Sequence, residues 1–306
     1  MKPEGHLSRR RFIIGSLGVL AVPSLIIPAG RTMAEQEDSS TLSVAEGSDA
    51  FGITVKAVEM LGGMREFVAD GSRVLIKPNI GWDRRVEQAA TTHPEVVRAL
   101  IQLSLEAGAS KVLILDRTCN DARRCYRTSG MLDMVEGVSS SRVSLDYVRE
   151  NRFRKVDFPK GIDLRQWPVY EEALTADVII NVPIAKHHSI SRLTLGMKNL
   201  MGLIGGNRGL FHSGIGQKLA DLTSAVTPQL TVLDATRILV RNGPTGGRLE
   251  DVRIVNLVAA SGDPVAVDAY GTTLFGMSPE DLSSVVAGYR MGLGEMDLGR
   301  IRIFGA

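Results

Sequence analysis

From residue 51 onward the chain alternates between short apolar runs rich in β-branched residues and longer stretches whose apolar positions recur every three and four. Residues 73–79 (RVLIKPN), 111–116 (KVLILD), 176–183 (ADVIINVP) and 230–235 (LTVLDA) read as strands. Residues 93–108 (HPEVVRALIQLSLEAG) read as a helix, with Thr92 as cap, Glu95 three residues later completing a capping box, and Gly108 as the stop. Continuously apolar strands joined by helices predict an α/β fold, a mostly parallel sheet with helices on both faces.

The first 50 residues follow another pattern. Arg9 and Arg10 come after Ser8, Phe12 follows, and an apolar run over 13–27 is too short and too broken by Gly and Pro for an ordinary membrane-spanning helix. This is the layout of a twin-arginine export signal, with residues 32–34 (TMA) as the cleavage site. The expected organisation is a signal peptide over 1–34, a small and polar flexible linker over 35–50, and a single α/β domain over 51–306. The protein is then exported, periplasmic or tethered on the outer side by an uncleaved signal, with the twin-arginine translocation machinery as a partner.

Charge narrows the function. Residues 1–34 hold five Lys or Arg and one acid, so they carry +4 of a formal net charge of +2, and the remainder carries −2. A body without net positive charge lacks the electrostatic footprint of a nucleic-acid binder.

The strand ends carry the candidate chemistry. They present Lys77 and Asn79, then Asp116, then Asn181 followed by Lys186, then Asp234 followed by residues 242–247 (NGPTGG) with Gly243 and Gly246. Ligands of open α/β sheets bind outside the carboxyl ends of the strands, where the connecting loops converge. Residues 181–214 also collect three of the chain's five histidines, two lysines and a Gly-Gly step. A loop that wraps a small anionic ligand needs such residues. Lys77, Lys186 and Lys198 would stabilise negative charge, Gly205 and Gly206 would let the backbone approach, and Arg208 would fork an oxyanion. Asn79, Asn181, Asn199, Gly243 and Gly246 complete the expected cofactor- or anion-binding set.

His187 and His188 are adjacent, so on a strand they point to opposite sides and do not readily share a metal; they are candidate proton carriers. Asp116, His212, Asp234 and Asp268 are candidate ligands for a divalent metal, although no H-x-x-x-H or C-x-x-C spacing supports one. Asp268 lies in an otherwise apolar helix start, where a carboxylate must be paired or bind something cationic. Asp263, directly before Pro264, reads as that helix's cap. The two cysteines, Cys119 and Cys125, are too few for a four-cysteine iron-sulfur cluster. On one helix they would also lie too far apart for a disulfide, so either the segment is looped or both thiols are free.

The ordered segments VLIKPN, EAGASKVLILD, ADVIINVPIAKHH, LTLGMKNLMG, NGPTGG and SGDPVAVDAYG closely resemble domain-of-unknown-function family 362 over roughly residues 50–305. Many relatives look like iron-sulfur proteins through an added ferredoxin-type cysteine module, which this chain lacks. The family's lysine-x-histidine segment reads here Ala185-Lys186-His187-His188, with histidine directly after lysine. The architecture is also similar to that of nickel-dependent lactate racemases, an analogy that assigns no site residue. Two functions are expected from these features. One is a metal- or cofactor-dependent enzyme acting on a small anionic or carbonyl substrate. The other is a non-catalytic protein that binds a cofactor or anion for an exported redox complex.

Overall fold

The computed structural model describes residues 40–305. The signal-peptide reading of residues 1–34 lies outside the described residues. The strands are β1 (Thr41–Glu46), β2 (Arg73–Pro78), β3 (Lys111–Ile114), β4 (Val143–Leu145), β5 (Phe153–Asp157), β6 (Gln166–Tyr170), β7 (Val178–Val182), β8 (Ile184–His188), β9 (Arg192–Thr194), β10 (Leu230–Leu239), β11 (Val252–Ser261) and β12 (Arg302–Phe304). Ten of them form one sheet in the order β12-β1-β11-β10-β7-β2-β3-β4, with β8 beside β10 and β9 beside β8. Its centre is parallel, while β11 runs antiparallel to β1 and β10, and β9 antiparallel to β8. The fold is the expected α/β class.

Alternate residues of the strands enter two cores, one on each side of the sheet. Val74, Ile76, Val112, Ile114 and Ile180 pack with Ile53, Ala57, Val97 and Leu100 of the helices Ala50–Glu59 and Pro94–Glu106. Leu75, Ile179, Leu233 and Ala259 pack on the other side with Leu219, Leu222, Val265 and Ala269 of the helices Ile215–Ala225 and Pro264–Thr273. Asp263 caps the latter as expected, its carboxylate accepting from the Val265 and Ala266 amides at 2.8 and 2.9 Å.

Three expectations are corrected. First, the linker reading of residues 35–50 fails over 41–46: β1 pairs with both β11 and β12, and Leu42 and Val44 are fully buried. Small and polar composition hid a strand whose covering comes from distant segments, so the fold already includes residues before 51. Leu42→Ala is therefore expected to cost about 2–5 kcal/mol in denaturant unfolding; a linker residue would cost nothing.

Second, the cap of helix Pro94–Glu106 is His93, whose Nδ1 accepts from the Glu95 amide at 3.1 Å. The Thr92 hydroxyl instead accepts from Asn79 N and donates to Val182 O, tying the ends of β2 and β7 together. Third, β10 does not end at Asp234 but continues to Leu239 alongside β8. Asp234 lies within that strand.

Candidate functional site

β7 and β8 are separated by one residue, Pro183, and the chain shifts there from β7's place between β2 and β10 to a place between β10 and β9. The shift opens a crevice of about 380 Å³ beyond the ends of β2 and β3. Lys77, Asn79, Asp116, Lys186, His188, Lys198, Asn199, Arg208 and His212 all line it, whereas the strand-end residues Asn181 and Asp234 do not. The sequence reading did not single out Gly81, Trp82 and Gly202, which also line it. Gly202 is needed for close approach, because a Cβ there would stand 1.8 Å from Asp116 Oδ1 and 2.6 Å from Lys77 Nζ.

Three asparagines organise the floor. Asn181 Nδ2 donates to the Gly196 carbonyl at 2.9 Å, which leaves its oxygen to accept from Asn199 Nδ2, also at 2.9 Å. Asn199 Oδ1 then accepts from Asn79 Nδ2 at 2.9 Å, and Asn79 Oδ1 accepts from Lys186 Nζ at 3.0 Å. A backbone carbonyl can only accept, so the orientation of every amide in the chain follows from its far end. Asn181 is fully buried and does not line the crevice; it braces Asn199 and, through it, Asn79.

The three lysines differ. Lys77 Nζ meets Pro78 O at 2.8 Å, Asn199 Oδ1 at 3.1 Å and Asp116 Oδ1 at 2.7 Å, so three oxygens surround the ammonium. The last contact is an ion pair whose angles do not make a directed hydrogen bond. Burial lowers the Lys77 pKa, and the Asp116 carboxylate opposes that shift. Lys186 is equally buried but among the described residues has two acceptors, Asn79 Oδ1 and, at 2.6 Å, Ala90 O. Burial brings its pKa down to about 7; Cys119 and Asp116 oppose that shift, and Lys198 and Lys77 add to it. Lys198, half-buried, makes no hydrogen bond or ion pair among the described residues, and burial brings it down to about 8.

The histidines separate as adjacent strand residues should. His187 does not line this crevice, its Nδ1 accepting from Gly243 N at 3.2 Å. His188 Nδ1 accepts from the Ile190 and Ser191 amides at 3.1 and 3.3 Å, so the neutral ring carries its proton on Nε2. Burial first, then the positive charge of Lys198, brings its pKa to about 3. It stacks on His212 at 5.9 Å, and the His212 Nδ1–H donates to Arg208 O, leaving Nε2 as a lone-pair acceptor. Arg208 donates to Arg117 O and Thr118 O at 3.1 and 2.9 Å and lies 3.7 Å from Cys119 Sγ. Cys119 precedes the helix Ala122–Thr128, is exposed and lines the crevice; Cys125 is buried on that helix, and both thiols are free.

The glycine and metal expectations are corrected. Gly205 and Gly206 do not cradle the crevice: Gly205 packs against the Phe153 ring and its carbonyl accepts from Trp167 Nε1, while Gly206 faces Pro168. Gly243 sits under the His187 carbonyl and Gly246 against Leu239, so of that turn only Pro244 reaches the crevice.

The four proposed metal ligands do not converge. Asp116 is held by Lys77 and the Ile80 amide, and Asp234 accepts from His93 N and from Thr236. Asp268 accepts from Gly196 N and Met197 N at 2.5 and 3.0 Å, and burial brings its pKa up to about 7. Among the described residues no three His, Cys, Asp or Glu side chains are placed to hold a metal ion. A crevice with three lysines, Arg117 and Arg208, whose lining carboxylate is already paired, suits an anion rather than a bare cation.

Asp268 thus anchors the short helix Gly196–Asn199, which delivers Lys198 and Asn199 to the crevice. Asp268→Ala strands two buried amides and is expected to cost about 2–5 kcal/mol. Lost chemical-shift dispersion at Lys198 and Asn199 in NMR spectra would locate the damage. Unchanged shifts there would remove this anchoring role.

A thylakoid-associated protein of Synechocystis is 33% identical over 244 residues, covering 77% of this chain and 73% of the relative. The lactate racemase apoprotein of Thermoanaerobacterium thermosaccharolyticum superposes with a TM-score of 0.50 at 11% identity, covering 77% of this chain and 56% of that one. The second likeness is one of fold. The family described as a domain of unknown function, DUF362, matches residues 74–273, and the chain belongs to that family.

Proposed function

We propose that the protein is an enzyme that binds a small anionic substrate in the crevice and uses Lys186 to take up and release a proton on it. The observation that carries this reading is the charge of the lining: among the described residues Lys186 and Lys198 have no carboxylate partner, and Asp116 is already paired with Lys77. Burying uncompensated cations is costly, and a bound carboxylate or phosphate offsets that cost. In the proposed complex Lys198 and Arg208 hold the anion, and the His188 Nε2–H donates to it. Lys186, with a pKa of about 7, is poised to exchange protons near neutrality.

Isothermal calorimetry with oxalate, against its neutral diamide, tests the reading. Oxalate is expected to bind and the diamide is not. Affinity should fall as pH rises through about 7 to 8, because Lys186 and Lys198 then lose their charge in the free protein. Equal binding of both compounds, or of neither, overturns it.

Export belongs to the same proposal, with Arg9 and Arg10 as the signal's paired arginines. Changing both to Lys is expected to leave the protein in the cytoplasm, since the receptor reads the arginine pair rather than charge. Cell fractionation that finds the double variant exported as before would end that part of it.

A further inference from the structure

Lys77 and Lys186 border the same crevice, both almost completely buried, yet their surroundings suit different protonation states. An ammonium has three N–H directions, and Lys77 has two hydrogen-bond acceptors and a paired carboxylate around its nitrogen. A neutral amine has two N–H directions and a lone pair. Lys186 Nζ meets two acceptors, and neither can turn into a donor: Ala90 O is a backbone carbonyl, and Asn79 Oδ1 is fixed by the amide chain that ends on Gly196 O. Both N–H groups of the neutral form are therefore satisfied, leaving a lone pair on a nitrogen that borders the crevice. Of the titratable groups around it, Lys198 and Lys77 also favour the neutral amine, while Asp116 and Cys119 oppose it.

We infer that Lys186 is a covalent nucleophile that forms an imine with a small 2-oxo acid, whose carboxylate is held by Lys198 and Arg208. This rests on the anion-binding reading above and adds the substrate class. The Nζ lone pair attacks the ketone carbon; a C–N bond forms, and the carbonyl π pair moves to oxygen, which takes a proton as the nitrogen gives one up. The resulting hydroxyl leaves as water with a proton from the Lys198 ammonium, which solvent restores. The nitrogen lone pair closes the C=N bond, and the iminium positive charge is retained beside the carboxylate. No oxidant or reductant is consumed.

The test is reductive trapping on the full chain. The protein is incubated with pyruvate and sodium borohydride at mildly alkaline pH, then mapped by peptide mass spectrometry, with acetone as neutral probe and oxalate as competitor. One adduct on Lys186 is expected. It should form about tenfold or more faster with pyruvate than with acetone, as one charge-assisted contact to the carboxylate predicts, and excess oxalate should suppress it. Adducts spread over surface lysines, or none on Lys186, overturn the inference. If oxalate still binds by calorimetry in that case, the anion site stands and only the covalent step falls. If oxalate does not bind, the proposed function falls, whatever is trapped.

Discussion

Lys186→Met is expected to weaken oxalate binding by about 2–5 kcal/mol, a loss of roughly 30-fold to several thousand-fold, while the apo-protein unfolds at nearly its original temperature. The two effects separate because the lysine's costs and gains oppose each other in the apo state. Methionine fills a similar volume and removes a buried, unpaired amine, but it leaves Asn79 Oδ1 and Ala90 O without their donor. In the complex nothing offsets the loss, since the anion keeps its charge and loses a desolvated partner. The pH dependence carries a second signature. Lys186 is lowered from 10.5 to about 7, so between these values the unfolded chain binds more protons than the folded one. Stability contributed by this group therefore rises with pH across that window and is absent below it. The variant should lack this rise when both proteins are unfolded in denaturant at a series of pH values. A variant that unfolds at a much lower temperature and keeps its oxalate affinity would make Lys186 a structural residue.

Lys77→Met should do the reverse. It leaves the Asp116 carboxylate buried without its cation and removes the donor to Pro78 O and Asn199 Oδ1, for an expected cost of about 3–5 kcal/mol in stability. Removing both charges, with Lys77→Met and Asp116→Leu together, should recover part of this loss. Recovery is incomplete because the Ile80 amide still loses its acceptor at Asp116 Oδ2. Denaturant unfolding of the single and double variants measures the coupling. If Lys77→Met instead folds with unchanged stability and loses oxalate binding, Lys77 is a ligand-contacting lysine, as its position in the sequence suggests.

Those two lysines show how far the sequence reached. Both follow apolar strand residues, both were expected to stabilise negative charge, and both line the crevice. What divides them is the set of acceptors around each nitrogen, and apart from Pro78 these come from Asn79, Ala90, Asp116 and Asn199, far away in the chain. The glycines teach the same lesson in reverse. The conspicuous Gly205–Gly206 step packs against Phe153 and Pro168, whereas the unremarked Gly202 lies over Lys77 and Asp116. Local pattern marks a glycine as conformationally permissive but does not say what approaches it.

The sequence by itself determined the α/β class, the strands β2, β3 and β7, the cap at Asp263 and the gathering of Lys77, Asn79, Asp116 and Lys186 at one end of the sheet. These depend on periodicity, local capping and the rule that loops converge beyond strand ends, all of which operate within a few residues or follow from the parallel arrangement. Only the tertiary structure decided that residues 41–46 form a strand, that Asp268 anchors the helix carrying Lys198, and that Lys186 has two acceptors where Lys77 has three. Each of these depends on partners distant in sequence. Burial then makes the outcome binding, because a desolvated polar group must take whichever partner the fold brings to it.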